Sequence, residues 1–331
     1  QPNCVVLVAT IRALKMHGGV KKEDLKKAQL RINKFINRTP VLTSSTLDKK
    51  LKCKVFFKCE NFQKIGAFKM RGAANAASRL TVEELSRGLA THSSGNHAQA
   101  VARAAQVKGV PAYIVMPENA PAVKVAATKG YGAEVIFCES TPEAREAKLE
   151  EVVQQTGAYF IHPFDDYNVV AGQATTALEL LQDGPEHFDI LMAPVGGGGL
   201  LSGTGLSAHY FAKNITVIGA EPFEVDDAYR SFHSGEIQRN ETPNTIADGL
   251  RTPLSAKTFG IIREHVSEIL RVEEEAIIHA MRQVWERMKI IIEPSCAVPL
   301  AAVFSYPKEF KNKTVGIVLT GGNVDLSKLP F

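Results

Sequence analysis

From Val41 onward, short β-branched runs alternate with stretches of helical period, and turn residues separate them. Few folds admit that alternation. Parallel strands must be joined by crossovers, and helical crossovers cover the sheet faces, so the pattern dictates an α/β architecture of twisted, mostly parallel sheets flanked by helices. Strands are expected at residues 54–58, 89–92, 112–116, 134–138, 159–162, 190–195 and 315–319. Helices are expected at 71–80, 96–107, 123–130, 144–155 and 200–212, after an amphipathic helix opening at Lys22 and running to about 36.

The 331 residues, 45% of them hydrophobic, suffice for two domains with separate cores. Residues 86–163 group as a smaller domain, and 21–85 with 164–331 as a larger one. Residues 1–20 are read as an N-terminal extension. Its apolar run, 5–11, precedes Arg12 and Lys15, the wrong order for a secretory signal, and is far too short to span a membrane. The lack of acidic residues before Glu23 leaves a transit remnant open.

A net charge of +4 without like-charge tracts gives no surface for nucleic acid or an anionic membrane, so a small molecule is the natural partner. Cys4, Cys53, Cys59, Cys138 and Cys296 are odd in number and lack zinc-site spacing, which points to reduced thiols in the cytosol.

Four glycine-rich stretches stand at the strand-to-helix joints. Gly66-Ala67-Phe68-Lys69-Met70-Arg71-Gly72 sets a lysine in a collar of small residues with an aromatic before it. Such an amine has room for a bulky carbonyl partner and can form a Schiff base, pyridoxal phosphate being the commonest such aldehyde; a structural loop lysine is the alternative. Gly196, Gly197, Gly198 and Gly199 follow a strand and open a helix, so backbone N–H groups can converge on a phosphate; a flexible turn is the other reading. The stretch lacks the G-x-G-x-x-G of a dinucleotide site and the lysine of a P-loop, which excludes those classes.

Thr91-His92-Ser93-Ser94-Gly95-Asn96-His97 brings hydroxyls and an amide to a helix start, where they could hold a carboxylate; capping by Ser94 or Asn96 explains the same composition. Thr320-Gly321-Gly322-Asn323 ends the last strand. Loops beyond the carboxyl ends of parallel strands are where ligands bind in open α/β sheets.

These stretches, in this order, resemble the serine racemase and threonine/serine dehydratase family of pyridoxal phosphate enzymes, fold type II (tryptophan synthase β-like), over residues 21–331. The resemblance implies that Lys69 holds the cofactor as a Schiff base, Phe68 packs beside the ring, Gly196–Gly199 bind the phosphate, Asn96 meets the ring hydroxyl and Thr320 the pyridine nitrogen. Ser93, Ser94, Gly95, Asn96 and His97 would receive the substrate carboxylate. Lys69 would take the α-proton on one face, and Ser94 would act as the acid on the other, the position where family racemases carry serine and many threonine dehydratases carry alanine.

Family hydroxyaspartate dehydratases share that serine. The hydroxyl of Thr320 holds a pyridine nitrogen protonated poorly, which favours elimination. The smaller domain is expected to close over the substrate.

By the same resemblance, Glu221, Val225 and Asp227 bind Mg2+ or Ca2+, a hard cation suited to oxygen ligands; without it the acidic loop is a solvated turn. Ser44, Ser45, Tyr131, Lys289 and Glu293 match an ATP site at a homodimer interface, ATP acting as an allosteric effector, or are interface packing. Arg145 and Thr252 match positions that reach a second carboxylate, and a surface arginine is the plain reading of the former. Two departures stand out. Phe164 occupies a place where mammalian serine racemases have asparagine, as dehydratases and microbial members do, and the triple-serine loop of animal aspartate racemases is absent.

The expected activity is racemisation of serine with elimination of water from serine or threonine. The alternative is an ammonia-lyase acting on threonine or threo-3-hydroxyaspartate. A ligand sensor that keeps the fold without catalysis runs against Lys69 and Ser94, and a nicotinamide oxidoreductase runs against the missing glycine fingerprint.

Overall fold

The computed structural model describes residues 19–331; nearly all of the expected N-terminal extension, with Cys4, lies outside the described residues. Among the described residues, β1 (Val41–Thr43), β2 (Lys54–Cys59), β7 (Ile190–Pro194), β8 (Thr216–Pro222), β9 (Glu268–Val272) and β10 (Thr314–Leu319) form one sheet in the order β1-β2-β10-β7-β8-β9. Only β1 in it runs antiparallel to its neighbour. The others, β3 (Leu89–His92), β4 (Ala112–Pro117), β5 (Glu134–Cys138) and β6 (Tyr159–Phe160), form an all-parallel sheet in the order β5-β4-β3-β6.

The expected strand at 159–162 is shorter than its apolar run. The Ile161 amide still pairs with Ala90, but the Ile161 carbonyl accepts from the Thr91 hydroxyl (3.0 Å) and meets the His97 ring (2.9 Å). Side chains end the ladder there. The helix expected at 71–80 runs instead over Lys69–Ala77, because the Met70 and Arg71 amides already reach back to the carbonyls of Ala67 and Phe68. Lys69 therefore stands in the first helical turn.

Tyr167–Asp183 forms a 17-residue helix that the periodicity did not mark. It is buried nearly all round, so it has no polar face to give a period. It packs against the helices Lys69–Ala77 and Gly199–Phe211, and Gly172 makes the first contact so close that a Cβ would stand 2.5 Å from the Arg71 carbonyl. On the other side of the large sheet, the helix Pro294–Ser305 packs its buried Cys296, Leu300 and Val303 under the strands.

A buried ionic network joins these layers. Arg71 has no exposed surface and makes two hydrogen bonds to Glu60, at 2.8 Å each, and two to Glu179, at 2.9 and 2.8 Å. Lys58 on β2 adds a bond to Glu179 (2.8 Å) and one to the Thr39 carbonyl (2.7 Å). Thr39 in turn donates to Glu60 at 2.6 Å. With every charge paired in a fork geometry, the guanidinium stays firmly protonated despite its burial. A second, exposed ion pair, Lys124 with Asp248, links the helix Ala122–Gly130 beside the small sheet to the segment after β8.

The thiols of Cys53, Cys59, Cys138 and Cys296 are buried and free. Burial pushes the Cys53 thiol up to about 11 and the Cys59 thiol up to about 12.

Arg71→Leu leaves Glu60 and Glu179 buried without their shared cation, and should cost about 3–5 kcal/mol in urea unfolding. A loss below about 1 kcal/mol, the scale of an exposed pair, would show the network to be dispensable.

Candidate active site

Four loops meet beyond the carboxyl ends of β2, β3, β7 and β10. The turn before Lys69 is sewn to the loop after β10: Phe68 N donates to Thr320 O (3.0 Å), Gly322 N donates to Gly66 O (2.9 Å), and Ala67 bridges to Gly321. Ile65 and Gly66 take positive φ values of 60° and 71° to make that turn. A residue with a side chain at Gly66 would also meet the Asn323 amide at 2.7 Å. The sewing fixes where Lys69 starts its helix.

Lys69 Nζ donates to the Pro163 carbonyl at 2.9 Å and lies 5.3 Å from the centre of the Phe68 ring. The residue keeps some surface, but its amine is deep in the cleft, and desolvation lowers its pKa to about 8. A substantial fraction of that amine is neutral near pH 8. That makes it a nucleophile and a base where an exposed lysine would be neither.

Opposite it, Gly196–Gly199 lead from β7 into the helix Gly199–Phe211, whose N-cap is Gly198 at φ 88° with no side chain capping it. A Cβ on Gly197 would stand 2.2 Å from the Phe164 ring. Thr258 accepts no part of the cradle's amides; its hydroxyl donates to Gly197 O at 2.8 Å, tying the loop from behind. Uncapped N–H groups at the start of a 13-residue helix suit a dianion. The expected phosphate fits here.

The rest of the expected cofactor also finds partners. Thr320 is 3% exposed and its Oγ1 has no hydrogen-bond partner, a vacancy worth about 1–3 kcal/mol that a ring nitrogen can fill. Asn96 gives one amide hydrogen to Glu293 (2.9 Å) and accepts from Asn323 (2.8 Å), so its second hydrogen is left for a ligand oxygen. Neither Ser94 nor Asn96 caps the helix Asn96–Lys108: its N-cap is Gly95, without a side-chain bond. The capping reading of 91–97 therefore fails, and the helix's first N–H groups face the cleft uncapped.

Ser93 Oγ accepts from Gly95 N at 3.2 Å, and the Ser94 hydroxyl makes no hydrogen bond among the described residues. His97 is buried with Nε2 on Ile161 O (2.9 Å) and Nδ1 unpaired; desolvation first, then the nearby Lys69, keep it neutral.

Two groups of the site escaped the sequence pattern, because a lone residue in a short loop carries no period. His162 accepts at Nδ1 from the amides of Phe164 (3.2 Å) and Asp165 (2.8 Å), and burial lowers its pKa to about 4. Glu293 was assigned above to a nucleotide set. It lies instead inside this site, where burial and then Asp248 push its carboxyl up to about 8. Its acidity, read from sequence, could not reveal that burial.

The other nucleotide residues are apart from it. Ser44 caps the helix Ser45–Leu51, Tyr131 ends the helix Ala122–Gly130, and Lys289 (φ 60°) borders a surface groove of 390 Å³ with Asn61, Gly322 and Asn323. Arg145 stands at the rim, close enough to His92 for its charge to depress that imidazole after desolvation does so. Thr252 is exposed on the loop before the helix Ala256–His265.

Glu221 is the penultimate residue of β8 and accepts from the amides of Ala228 (3.1 Å) and Tyr229 (2.9 Å). Burial, and then the neighbouring Asp227, raise its pKa well above the carboxylate range; burial raises Asp227 to about 6. Asp227 Oδ2 is buried without a partner, whereas Asp226 is held by Arg230 (2.6 Å) and Arg271 (2.7 Å). Among the described residues no three His, Cys, Asp or Glu side chains cluster. Two crowded carboxylates with an orphaned oxygen, beside buried Val225, still fit one hard cation completed by carbonyl and water.

The chain matches the family described as "Pyridoxal-phosphate dependent enzyme" over residues 32–321. It is 51% identical to the serine racemase of Dictyostelium discoideum over 316 residues, 94% of this chain and 97% of that protein. It is 45% identical to the beta-hydroxyaspartate dehydratase of Paracoccus denitrificans, covering 93% and 98% of the two. Its fold superposes on the structure of maize serine racemase with a TM-score of 0.90, at 42% identity over 94% of this chain and 95% of that one.

In cofactor-free protein, the reaction of Lys69 with a small aldehyde should rise with pH through about 8, where its neutral form takes over. A midpoint near the ordinary lysine value would show that the cleft does not desolvate the amine. Gly197→Ala should expel the Phe164 ring from the cradle and weaken retention of pyridoxal phosphate about tenfold or more, read by equilibrium dialysis.

Proposed function

Because the chain belongs to the pyridoxal-phosphate dependent enzyme family, we propose that it interconverts L- and D-serine and also removes ammonia from small hydroxy amino acids, water being lost by elimination and regained by hydrolysis, to give keto acids. The observation that carries this reading is the desolvated Lys69 amine in one cleft with an uncapped glycine cradle and the unengaged Ser94 hydroxyl. Bound pyridoxal phosphate supplies an electron sink that makes the α-proton of an attached amino acid acidic.

The chain supplies the rest. Lys69, Phe68, Gly196–Gly199, Asn96 and Thr320 hold the cofactor. The N–H groups at the start of the helix Asn96–Lys108, with Ser93, hold the substrate carboxylate. Lys69 removes the α-proton on its own face, and its neutral form near pH 8 suits it to that task. Ser94 returns a proton on the other face when racemisation occurs. Elimination competes because Thr320 is a neutral hydroxyl and cannot hold a ring nitrogen protonated as a carboxylate would.

A second reading is an ammonia-lyase for threo-3-hydroxyaspartate or threonine. The likeness to a beta-hydroxyaspartate dehydratase and the rim position of Arg145, able to take a β-carboxylate, favour it. Glu221, Val225 and Asp227 hold Mg2+ or Ca2+, ATP acts beside Lys289, the four-stranded sheet unit closes over the substrate, and the chain works as a cytosolic homodimer. Among the described residues no helix is long and apolar enough to cross a membrane.

Purified holoprotein with magnesium is given L-serine, L-threonine and L-threo-3-hydroxyaspartate, and D-serine and keto acid are followed separately. D-serine that is lost in Ser94→Ala while keto acid from L-serine persists is the expected result. Keto acid alone, fastest from either of the other substrates, selects the second reading.

The cation is tested by melting temperature against pH. The raised carboxyls of Glu221 and Asp227 favour the folded state while protonated, so without cation their contribution is full below the ordinary carboxylate range; that of Asp227 is lost as pH rises through about 6, and that of Glu221 as pH rises well above the ordinary glutamate value. Added Ca2+ should restore stability above that window. In Asp227→Asn the cation should stabilise far less, and equal stabilisation of both proteins would reject the site.

A further inference from the structure

Residues 161–166 carry the chain from the four-stranded sheet back to the helix Tyr167–Asp183, and they form one wall of the cleft. The turn within them is built around a side chain. His162 Nδ1 accepts from both the Phe164 and the Asp165 amides, at 3.2 and 2.8 Å. An imidazole that accepts at Nδ1 is neutral and keeps its proton on Nε2. Its ring is held edge-on by Phe164, 4.7 Å between centres, with Phe160 at 5.4 Å and His92 at 6.5 Å. From the other side Lys257, on the helix Ala256–His265, donates to Asp165 O at 3.0 Å and fixes the end of the turn.

What the turn presents is the point. Its Pro163 carbonyl receives the Lys69 amine at 2.9 Å, and its Phe164 lies against the cradle, the ring against Gly197 and the Cα and Cβ against Gly199. One imidazole therefore sets two walls of the site at once. A lysine side chain has four rotatable bonds, and an acceptor fixed at one place selects among its rotamers. Without the Nδ1 acceptor two amides of a partly buried turn lose their partner, and the turn must find another conformation.

We propose that His162 is a positioning residue for Lys69: by accepting the Phe164 and Asp165 amides it holds the Pro163 carbonyl against the amine and Phe164 against the glycine cradle. The free amine, whenever the cofactor does not engage it, is thereby returned to a single resting place in reach of the cleft. The proposal rests on Lys69 being the residue that engages pyridoxal phosphate, and the experiment separates the two.

Three variants of the full chain are compared with the parent: His162→Phe, which keeps a ring and loses the acceptor; His162→Asn, whose amide oxygen can accept from the same turn; and Lys69→Ala. Each is melted to establish that it folds. Steady-state kcat and KM are measured on holoprotein, and the rate at which cofactor-stripped protein recaptures added pyridoxal phosphate is followed by its visible band.

His162→Phe should lower kcat about 10- to 100-fold with KM changed by less than about threefold, and slow recapture to a similar degree, while His162→Asn recovers most of both. A His162→Phe protein that melts like the parent and keeps kcat and recapture overturns the proposal. So does an equal loss in His162→Phe and His162→Asn, because the ring would then matter only as filling. If His162→Phe does not fold, His162→Leu, which likewise lacks an acceptor, takes its place and is held to the same outcomes. If Lys69→Ala still gives the lysine-bound visible band, the assignment of Lys69 fails, a result distinct from any change at residue 162.

Discussion

The pairing of Arg71 with Glu60 and Glu179 is the constraint on which the site depends. Two residues after Lys69, a guanidinium with no exposed surface binds β2's following turn on one side and the helix Tyr167–Asp183 on the other. Desolvating three charges is expensive, and the fork geometry with Thr39, Thr175 and Lys58 is what makes the arrangement tolerable. In return the first turn of the helix Lys69–Ala77 has nowhere else to go. Gly172 lets the two helices approach until the Arg71 carbonyl touches the opposing backbone, so the network is a weld as well as a charge balance.

Around this rigid frame the cleft is governed by desolvation more than by charge pairing. The Lys69 amine falls to about 8, the Glu293 carboxyl rises to about 8, and His162 falls to about 4, each with burial as the leading cause. All are pushed toward their neutral forms. A site of neutral donors and acceptors can change the protonation of one member near neutral pH without leaving a bare charge among the others, which acid–base chemistry at a carbon centre demands.

The fold was legible where the chain punctuates itself. Parallel strands ending in glycine loops put Lys69, Gly196–Gly199, Ser93–His97 and Thr320 at one edge before any contact was known, since strand-end loops of such sheets converge by topology. What stayed hidden lacks a sequence signal of its own. The helix Tyr167–Asp183 has no polar face, so it casts no period; the role of His162 in holding a short linking turn has no pattern; and Glu293 looks like any surface acid until its burial beside Asn96 is seen. Capping of the helix at Asn96 was a fair composition-based reading, yet the backbone starts that helix at Gly95 and leaves the polar side chains unspent.

The four buried cysteines have a consequence of their own. With the Cys53 and Cys59 thiols raised to about 11 and 12 by burial, and Cys138 and Cys296 higher than their ordinary value as well, almost no thiolate exists among the four described cysteines at neutral pH. Electrophiles and peroxides attack thiolates, so these four side chains offer them almost no target in the native fold. In the unfolded fraction the same side chains regain ordinary acidity. An oxidant thus meets these four thiols mainly in unfolded copies, which ties their resistance to oxidation to the stability of the fold.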